Sequence, residues 1–457
     1  MKFIKTICAI GVVAASVNAG NVMAKVSPEQ AARLGQDLTP VGAEKAGNAD
    51  GTIPEWTGGM KELPAGWKPG MPYVNPFPED KVLFTINKDN MAQYADKLSE
   101  GQMAMMSTYP TRYMQVYKTR RSAMYSDQTV AWVKENALIA EMIESGNGIK
   151  NPKEIKPEYP FPIPNDPREL LWNHIMRKRG GSFDRNYIQV TPMENGSFTP
   201  VRFYEEFSRV HALTDAAKSK EDNVIFYFKQ SVTAPARLAG NVLLVHETLD
   251  QVKEPRRAWV YNAGQRRVRR APQVAYDGPG TASDGLRTTD NFDMFNGAPD
   301  RYDWKLVGKQ EMYIPYHSYK LDDKSLKYDD IIKAGHLNSE YLRYELHRVW
   351  KIEATLKAGS RHIYSKRVMY LDEDSWGILG ADLYDGRGEL WRVSEAFAMN
   401  FYDIKTVWVT VENHYDLSSR RYVSSGLANE VPLRYDFSKK YASKDFTPAA
   451  LRRAGRR

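Results

Sequence analysis

Cysteine is almost absent from this sequence. The 457 residues contain one, Cys8, and it lies in an N-terminal segment that we predict to be cleaved off. The mature chain would then lack disulfide bonds, thiolate metal ligands and a cysteine nucleophile. Because Cys8 lies before the end of the N-terminal apolar run, it does not predict a lipid-anchored N-terminus.

Long apolar runs are also missing beyond the N-terminus, where no stretch approaches the roughly 18 apolar residues that a membrane helix needs. Residues 1–24 are typical of a secretory signal peptide. Lys2 and Lys5 provide the positive start, residues 7–17 form a short apolar run, and Ala24 ends a small-residue cleavage site. We therefore expect a soluble mature protein in the periplasm.

Common catalytic and metal-binding motifs are absent as well. The sequence has no phosphate-binding loop ending in Gly-Lys-Ser/Thr and no His-Glu-x-x-His. Gly280 to Gly285 resembles the elbow around a serine nucleophile, but it has one residue too many between its glycines. Residues 48–53 resemble part of a calcium loop, but Ala46 and Thr57 occupy the terminal ligand positions, where acidic residues are needed. We predict no catalytic residues, no metal site and no cofactor.

Basic residues exceed acidic ones, with 64 Lys and Arg against 56 Asp and Glu. Removal of Lys2 and Lys5 with the leader lowers the formal net charge from +8 to +6. Such a surface suits encounters with anionic membranes or anionic substrates, and we expect no nucleic-acid binding by an exported protein. The basic segment 266–270 has the pattern of a strand, so some of its arginines are expected inside the sheet or paired with acidic residues.

What the sequence does contain is a series of strands, and the clearest lie between Tyr344 and Asp416. Residues 344–356 alternate between apolar and polar side chains, which is the period of a half-buried strand. The connections are short and so join antiparallel neighbours into a meander, and Asp385-Gly386 predicts a tight hairpin. Both faces carry apolar side chains, so something else must cover the far face. The predicted strands are 344–356, 363–372, 376–384, 390–401 and 407–416.

Strands also dominate the middle of the chain, and helices are few. One helical pattern follows Asn87, a second covers residues 127–145, and a third is capped by Asp166 with Pro167 at its first position. The predicted fold class is mainly β (α+β), with a large curved antiparallel sheet. The further predicted strands are 186–193, 197–207, 224–233, 241–248, 257–261, 266–270 and 303–314.

These patterns divide the chain into five parts. Residues 1–24 form the signal peptide, and residues 25–86, rich in Pro, Gly and aromatic side chains, predict an extended arm that lies across the body. Residues 87–180 form a helical region and residues 181–435 an antiparallel β half-barrel. Residues 436–457 form a basic C-terminal tail, whose Arg-rich end we expect to be disordered.

A long loop over residues 277–296 is the main candidate for chemistry, because loops of this length are usually functional or mobile. It contains Asp284, Asp290 and Asp293, two of which could form a carboxylate pair, and His174 on a helix is a candidate functional imidazole. One hypothesis is a hydrolase acting on a lipid or glycan, which requires these side chains to converge. The alternative is that they are solvated turn carboxylates and a structural histidine. A third hypothesis is a scaffold that docks on an outer-membrane partner through its basic surface.

Several segments together resemble a family of exported bacterial proteins of unknown function that is grouped with the LolA and LolB outer-membrane lipoprotein carriers. The resemblance covers nearly the whole mature chain. It is carried by Phe161-Pro162-Ile163-Pro164 with Trp172-Asn173-His174 and Arg179-Gly180, by Ala258-Trp259-Val260-Tyr261 with residues 264–272, by Asp284-Gly285-Leu286, and by residues 367–372 and 384–390.

The resemblance implies an incomplete antiparallel β-barrel of LolA-LolB type, with helices against its concave side, that shields acyl chains in the periplasm. It implies a lipid or another hydrophobic small molecule as ligand, an inner-membrane lipid exporter and the outer membrane as partners, and no catalytic residues. Our leading hypothesis is therefore a periplasmic carrier or chaperone with no chemistry of its own. The candidate cavity residues, which would otherwise pack as ordinary core, are Trp259, Tyr261, Trp350, Ile352, Leu356, Met369, Leu371, Trp391 and Trp408.

Overall fold

A computed structural model describes residues 26–218, 221–271 and 274–455. The predicted signal peptide lies outside the described residues. Within them, sixteen strands belong to one sheet. The strands are β1 Phe84–Ile86, β2 Met114–Tyr117, β3 Ser182–Val190, β4 Val201–Arg209, β5 Val224–Ala234, β6 Val242–Thr248, β7 Arg257–Asn262, β8 Arg267–Arg270, β9 Tyr302–Pro315, β10 Tyr344–Leu356, β11 Lys366–Asp372, β12 Ile378–Tyr384, β13 Leu390–Phe401, β14 Thr406–Asp416, β15 Arg421–Leu427 and β16 Tyr435–Asp436.

The order of the strands shows that the sheet does not close. It runs β1-β2-β10-β11-β12-β13-β14-β15-β3-β4-β5-β6-β7-β8, with β9 on β10 and β16 on β3. In the described part of the chain the two ends of this path do not pair with each other. The fold is therefore mainly β with an incomplete barrel, as predicted. It is a mixed sheet rather than a purely antiparallel one, because β2 runs parallel to β10; two strands that lie far apart in the chain can pair in either direction.

The meander from β10 to β14 is confirmed, and each strand pairs antiparallel with the next. Strands β10 and β13 have the predicted bounds, whereas β11 and β12 begin three and two residues later than predicted. The turn after β12 is longer than the predicted two-residue hairpin: the N–H of Asp385 donates to the carbonyl of Glu389, and Gly388 rather than Gly386 has the positive φ.

The basic segment at the end of the sheet forms a strand, as predicted, but the expectation that some of its arginines lie inside the sheet was wrong. It is the edge strand β8, and Arg267, Arg269 and Arg270 are exposed. An edge strand has one side open to solvent, and charged side chains there oppose pairing with another chain.

Helices are short, and none of those in the described residues is long and apolar enough to cross a membrane. The third predicted helix begins as expected, with the side chain of Asp166 accepting from the N–H of Arg168 and Pro167 at its first position. The α-helices are α1 Pro28–Ala31, α2 Glu100–Thr108, α3 Asp127–Ile139, α4 Pro167–Met176, α5 Tyr328–Ile331 and α6 Pro448–Ala454, and 3₁₀ turns occupy Met91–Lys97, Val210–Ala212, Ala216–Lys218, Thr289–Asn291, Tyr319–Asp322, Ser339–Tyr341 and Ser443–Phe446.

Helices pack on both faces of the sheet. We call the face that carries Ile352, Met369 and Leu371 the inner face; α4 shares its hydrophobic core. Helix α2 packs with Val393 and Phe397 on the opposite, outer face. Both faces of the meander are apolar, so both need a covering layer.

The described part of the C-terminal segment includes helix α6 (Pro448–Ala454), so the expectation of a disordered Arg-rich end was wrong for these residues. Helix α6 packs on the outer face, where Leu451 is fully buried beside Tyr227 and Leu244. One apolar side chain per turn is enough to hold a short helix against a sheet, and the arginines of α6 remain on its exposed side.

The N-terminal arm lies against the rest of the chain, and side-chain hydrogen bonds join the two. The indole N–H of Trp376 donates to the carbonyl of Val41 at 2.9 Å, and that of Trp56 to the carbonyl of Ala123 at 2.8 Å. Further along, the hydroxyl of Tyr73 donates to Asp403 at 2.8 Å. The arm is thus fixed at several points along its length.

Helix α2 is joined to the sheet by the buried carboxyl of Asp382. Ser99 donates to it at 3.0 Å and Tyr370 at 3.2 Å, and among the described residues no cation forms an ion pair with it. Burial raises the pKa of Asp382 to about 6 against the opposing effect of these hydrogen bonds and of the Gly101 N–H.

This raised pKa predicts how stability depends on pH. The folded protein keeps the Asp382 proton up to about pH 6, whereas the unfolded chain releases it near the ordinary value of 3.8. The free energy of unfolding should therefore fall as pH rises from about 4 to about 6, by up to about 3 kcal/mol from this group. Denaturant unfolding of the wild type and Asp382→Asn between pH 4 and 7 would measure it; parallel curves for the two proteins would contradict the prediction.

Candidate functional site

A cavity lies between the inner face of the sheet and a long loop that crosses it. We call residues 274–297 the covering loop. The space that these elements enclose, together with its mouth open to solvent, amounts to about 780 Å³. Its apolar lining consists of Phe226, Phe228, Leu243, Val245, Val274 and Phe292.

The alternation of strands β5 and β6 explains why these side chains meet. Phe228 pairs with Val245 across the two strands, and residues two positions apart on a strand point to the same side. Tyr227 and Leu244 therefore point the other way and pack with α6. Strands β5 and β6 thus contribute to the hydrophobic core under α6 on their outer face and to the cavity wall on their inner face.

The covering loop folds back on itself above the cavity. The N–H of Gly280 donates to the carbonyl of Arg287 at 2.8 Å, and the N–H of Thr289 donates to the carbonyl of Gly278 at 2.7 Å. Residues 280–287 form the tip of this turn. The side-chain amide of Gln189 on β3 donates to the carbonyls of Thr281 and Ala282 at 2.9 and 2.7 Å, so the tip lies against the sheet.

The three carboxylates of the covering loop that were predicted as candidate site residues bind three different groups of cations. Asp284 is half exposed and lies 2.8 Å from Arg421. Asp290 is buried and contacts Arg367 at 2.6 Å and His362 at 3.1 Å. Asp293 is buried and contacts Arg177 and Arg179, each at 2.5 Å. The arginines hold the pKa of Asp290 and of Asp293 well below the usual range, although burial alone would raise it.

His174 is close to Asp293, but both nitrogens of its ring form hydrogen bonds with main-chain groups. Its Nδ1 accepts from the N–H of Ile378 at 3.0 Å, so Nε2 carries the proton and donates to the carbonyl of Asp293 at 2.8 Å. Burial, assisted by the charge of Arg177, lowers the pKa of His174 to about 3. A neutral imidazole with both nitrogens bonded to backbone fixes the covering loop to α4 and the start of β12.

The hydrolase hypothesis required these side chains to converge, and they do not. The carboxylates of Asp284, Asp290 and Asp293 are each neutralised by a separate arginine partner, and His174 faces a main-chain carbonyl rather than a carboxylate. A general base must reach the proton that it removes. The arrangement instead anchors the covering loop to the sheet.

The nine residues predicted to line a ligand cavity fall in several places. Ile352, Met369, Leu371 and Trp408 are buried in the inner-face core, with Trp350 and Trp391 partly buried against it. Leu356 is half-buried at the end of β10. Trp259 and Tyr261 pack on the outer face with α6, because Trp259 pairs with Leu244, which points that way. None of the nine lines the cavity under the covering loop, and their ligand-binding role stays a prediction.

Sequence reasoning missed the residues that do line this cavity. The segments 224–233 and 241–248 were identified as strands and the loop was identified as a candidate site. The sequence signal that could have identified them is the alternation within the strand, which places Phe226 and Phe228 on one face and Tyr227 on the other. Alternation separates the two faces of a strand, but it does not say which face lies beneath a loop.

Charged side chains occupy two parts of the cavity surroundings, one at the end of β6 and one on β3 and β4. Arg256 contacts Glu247 at 2.8 Å and donates to the carbonyls of Val274 and Asn296. Glu205, behind Arg185, accepts from Tyr187 and from Gln230. Burial raises the pKa of both glutamates, against the nearby arginines. The cavity is therefore apolar along Phe226, Phe228, Leu243 and Val245, and polar both toward β3 and at the end of β6.

A second cluster of titratable groups lies outside the cavity. His347, Asp372 and Asp374 place a ligand atom each within 4.8 Å of one another, but both oxygens of Asp374 accept from Arg121, at 3.0 and 2.7 Å. Burial raises the pKa of Asp372 to about 6 against the effect of His347, and Glu345 and Asp372 raise that of His347 although burial opposes this. We interpret the cluster as an ion-pair network that joins the arm to the meander.

Comparison with known proteins gives a family and relatives without an assigned activity. The family model described as "Protein of unknown function (DUF1329)" matches residues 85–452. The uncharacterized protein PA3922 of Pseudomonas aeruginosa is 56% identical over 456 residues, which covers 100% of both chains.

Two solved structures are also similar. One is a DUF1329 family protein from Desulfovibrio piger, with 17% identity, a TM-score of 0.43 and coverage of 63% of this chain and 100% of that chain. The other is the LolA superfamily protein NE2245 from Nitrosomonas europaea, with 14% identity, a TM-score of 0.37 and coverage of 62% of this chain and 98% of that chain.

Proposed function

The chain belongs to the DUF1329 family of proteins of unknown function, and on this premise we propose that it is a carrier that holds a lipid or another hydrophobic molecule beneath the covering loop. The observation that supports the proposal best is the cavity beneath that loop, with its apolar wall on β5 and β6. We propose further that it acts in the periplasm, between an inner-membrane lipid exporter and the outer membrane.

The energetics of hydrocarbon transfer favour such a site. Each CH₂ group removed from water contributes about 0.8 kcal/mol, so a twelve-carbon chain would gain about 9 kcal/mol in an apolar wall. Phe226, Phe228, Leu243 and Val245 offer that wall. Part of this gain offsets the loss of translational and side-chain freedom on binding.

The base and the tip of the covering loop are attached differently, and this difference supports entry of the ligand beneath the tip. Its base is held by buried ion pairs through Asp290 and Asp293. Its tip is held by the pair Asp284–Arg421, in which the Asp284 side chain is 53% exposed, and by the two hydrogen bonds from the neutral amide of Gln189. An exposed ion pair contributes only about 0–1 kcal/mol. The tip is thus the end of the loop that opens at the lower free-energy cost.

Filling the cavity should abolish ligand binding. Leu243 is half-buried on the cavity wall, so Leu243→Trp places an indole in the space meant for the chain. We expect the affinity for a fluorescent fatty acid to fall by at least about tenfold, equal to about 1.4 kcal/mol. Fluorescence titration of the mature protein measures the affinity, and its melting temperature checks that the variant folds.

The control is the same substitution at an exposed position, Val252→Trp, since Val252 is 47% exposed and lies outside the cavity lining. It should leave the affinity unchanged. Native mass spectrometry and lipid extraction of protein isolated from the periplasmic fraction provide a second test. A ligand-free protein that also fails to bind the fluorescent fatty acid would contradict the proposed function.

A further inference from the structure

One buried cation of the cavity has no partner. The side chain of Arg287 lies at the end of the tip of the covering loop and lines the cavity, and the residue is 9% exposed. In the parts of the chain that the structure describes, nothing accepts a hydrogen bond from its guanidinium and no carboxylate lies within 4.0 Å. Its Nε is fully buried and unpaired.

The guanidinium of Arg287 lies against Gly280, where the absence of a side chain leaves room for it. A Cβ added at Gly280 would lie 3.0 Å from both the Cζ and an Nη of Arg287. The guanidinium thus packs against a glycine of the same loop tip, and the Arg287 side chain forms part of the cavity lining. A guanidinium presents its donors as a rigid fork, which suits an anion bound through two parallel hydrogen bonds.

The other two arginines of the cavity differ in how many of their donors have a partner in the protein. Arg256 is bound by Glu247 and by two carbonyls. Arg185 lies 3.7 Å from Glu205 and stacks 4.2 Å above the ring centre of Tyr187, and its Nε has no acceptor. The side chain of Arg287 makes no hydrogen bond and no ion pair among the described residues. Two of the three arginines therefore keep donors that the protein does not use.

The acidic residues of the cavity do not neutralise Arg287. Glu247 is bound by Arg256. Glu412 also lines the cavity, but it accepts from the N–H of Met294 at 3.3 Å and lies 3.8 Å from Nε2 of His414. Burying an unpaired charge is costly unless something pairs with it. An anion delivered by the ligand would remove that cost.

We propose that the cavity binds an anionic amphiphile with one carboxylate or phosphate head and a hydrocarbon chain. This inference rests on the proposed function and names the class of cargo. The head accepts two hydrogen bonds from the fork of Arg287, with Arg185 as the second cation, in the bidentate geometry that guanidinium forms with such groups. The chain lies along Phe226, Phe228, Leu243 and Val245.

The test compares three twelve-carbon ligands that share one chain and differ in the head: dodecanoate, dodecyl phosphate and 1-dodecanol, titrated calorimetrically at pH 8. We expect the wild-type mature protein to bind at least one of the two anions at least about tenfold more tightly than the alcohol. Whichever anion is preferred identifies carboxylate or phosphate as the head. In Arg287→Gln this preference should disappear while the affinity for 1-dodecanol is unchanged.

Two further variants separate charge from shape. Arg287→Lys keeps the charge without the fork and should retain part of the preference. Glu412→Gln removes a carboxylate of the same cavity and should leave anion binding unchanged or tighten it. Since Arg287 makes no side-chain hydrogen bond in the described residues, we expect Arg287→Gln to melt at the wild-type temperature, and Arg287→Met serves if it does not.

The outcomes are distinguishable. Equal affinity of the wild type for all three ligands, or an unchanged preference in Arg287→Gln and Arg287→Met, would overturn the anionic head and leave the carrier in place. Failure of all three ligands to bind the wild type would overturn the proposed function itself.

Discussion

Asp293→Asn is expected to lower the free energy of unfolding by about 3–5 kcal/mol, because it leaves two buried guanidinium groups without their counter-charge. Asp293 contacts Arg177 and Arg179 at 2.5 Å each, and all three side chains are at most 5% exposed. The measurement is equilibrium unfolding in guanidinium chloride. Loss of this anchor should also detach the base of the covering loop and lower ligand affinity in the same variant.

The matched control is Asp284→Asn in the same loop. Both aspartates have positive φ, 50° for Asp284 and 53° for Asp293, and asparagine tolerates that conformation as well as aspartate does. The backbone contribution is therefore the same in the two variants. Asp284 is half exposed, so its substitution should change stability by only about 0–1 kcal/mol. Equal effects at the two positions would show that Asp293 is not a structural anchor.

Gly42→Ala is expected to destabilise the protein by about 2–4 kcal/mol and to release the N-terminal arm. Gly42 has φ +99°, and a Cβ there would lie 1.7 Å from the carbonyl oxygen of Pro162. That oxygen belongs to the backbone of the segment before α4, so it cannot turn aside as a side chain would. Unfolding measurements give the stability, and limited proteolysis shows whether residues 26–83 become accessible.

Gly35→Ala provides the control for backbone strain. Gly35 lies in the same arm and also has positive φ, +87°, but nothing lies within 4 Å of its added Cβ. Its substitution should cost only the conformational strain, about 1 kcal/mol. If the two alanine variants lose the same stability and resist protease equally, the arm does not depend on its contact with Pro162.

Much of the fold followed from local patterns. The alternation within β10 and β13 predicted both strands with their bounds, and Asp166 with Pro167 predicted the start of α4. These signals are local, since strand period and helix capping depend on residues a few positions apart. The mixed sheet was missed because the pairing of β2 with β10 joins residues that are distant in the sequence.

The candidate site was predicted only in part. The covering loop was recognised from its length, and Asp284, Asp290, Asp293 and His174 were identified as its polar residues, but their proposed convergence was wrong. Asp293 and Arg177 are 116 residues apart, and Asp290 and Arg367 are 77 apart. Neither spacing has a local signature, so the partners of a buried charge cannot be read from the neighbouring sequence.

The sequence alone determined that this chain is mainly β, that a long acidic loop interrupts its strands, and that apolar side chains occupy both faces of the sheet. Only the tertiary structure decided which strand face the loop covers, which arginine neutralises each aspartate, and that Arg287 is left without a partner. The reason is physical: the period of a strand is set by its own backbone, whereas the burial of a charge depends on every segment that folds against it.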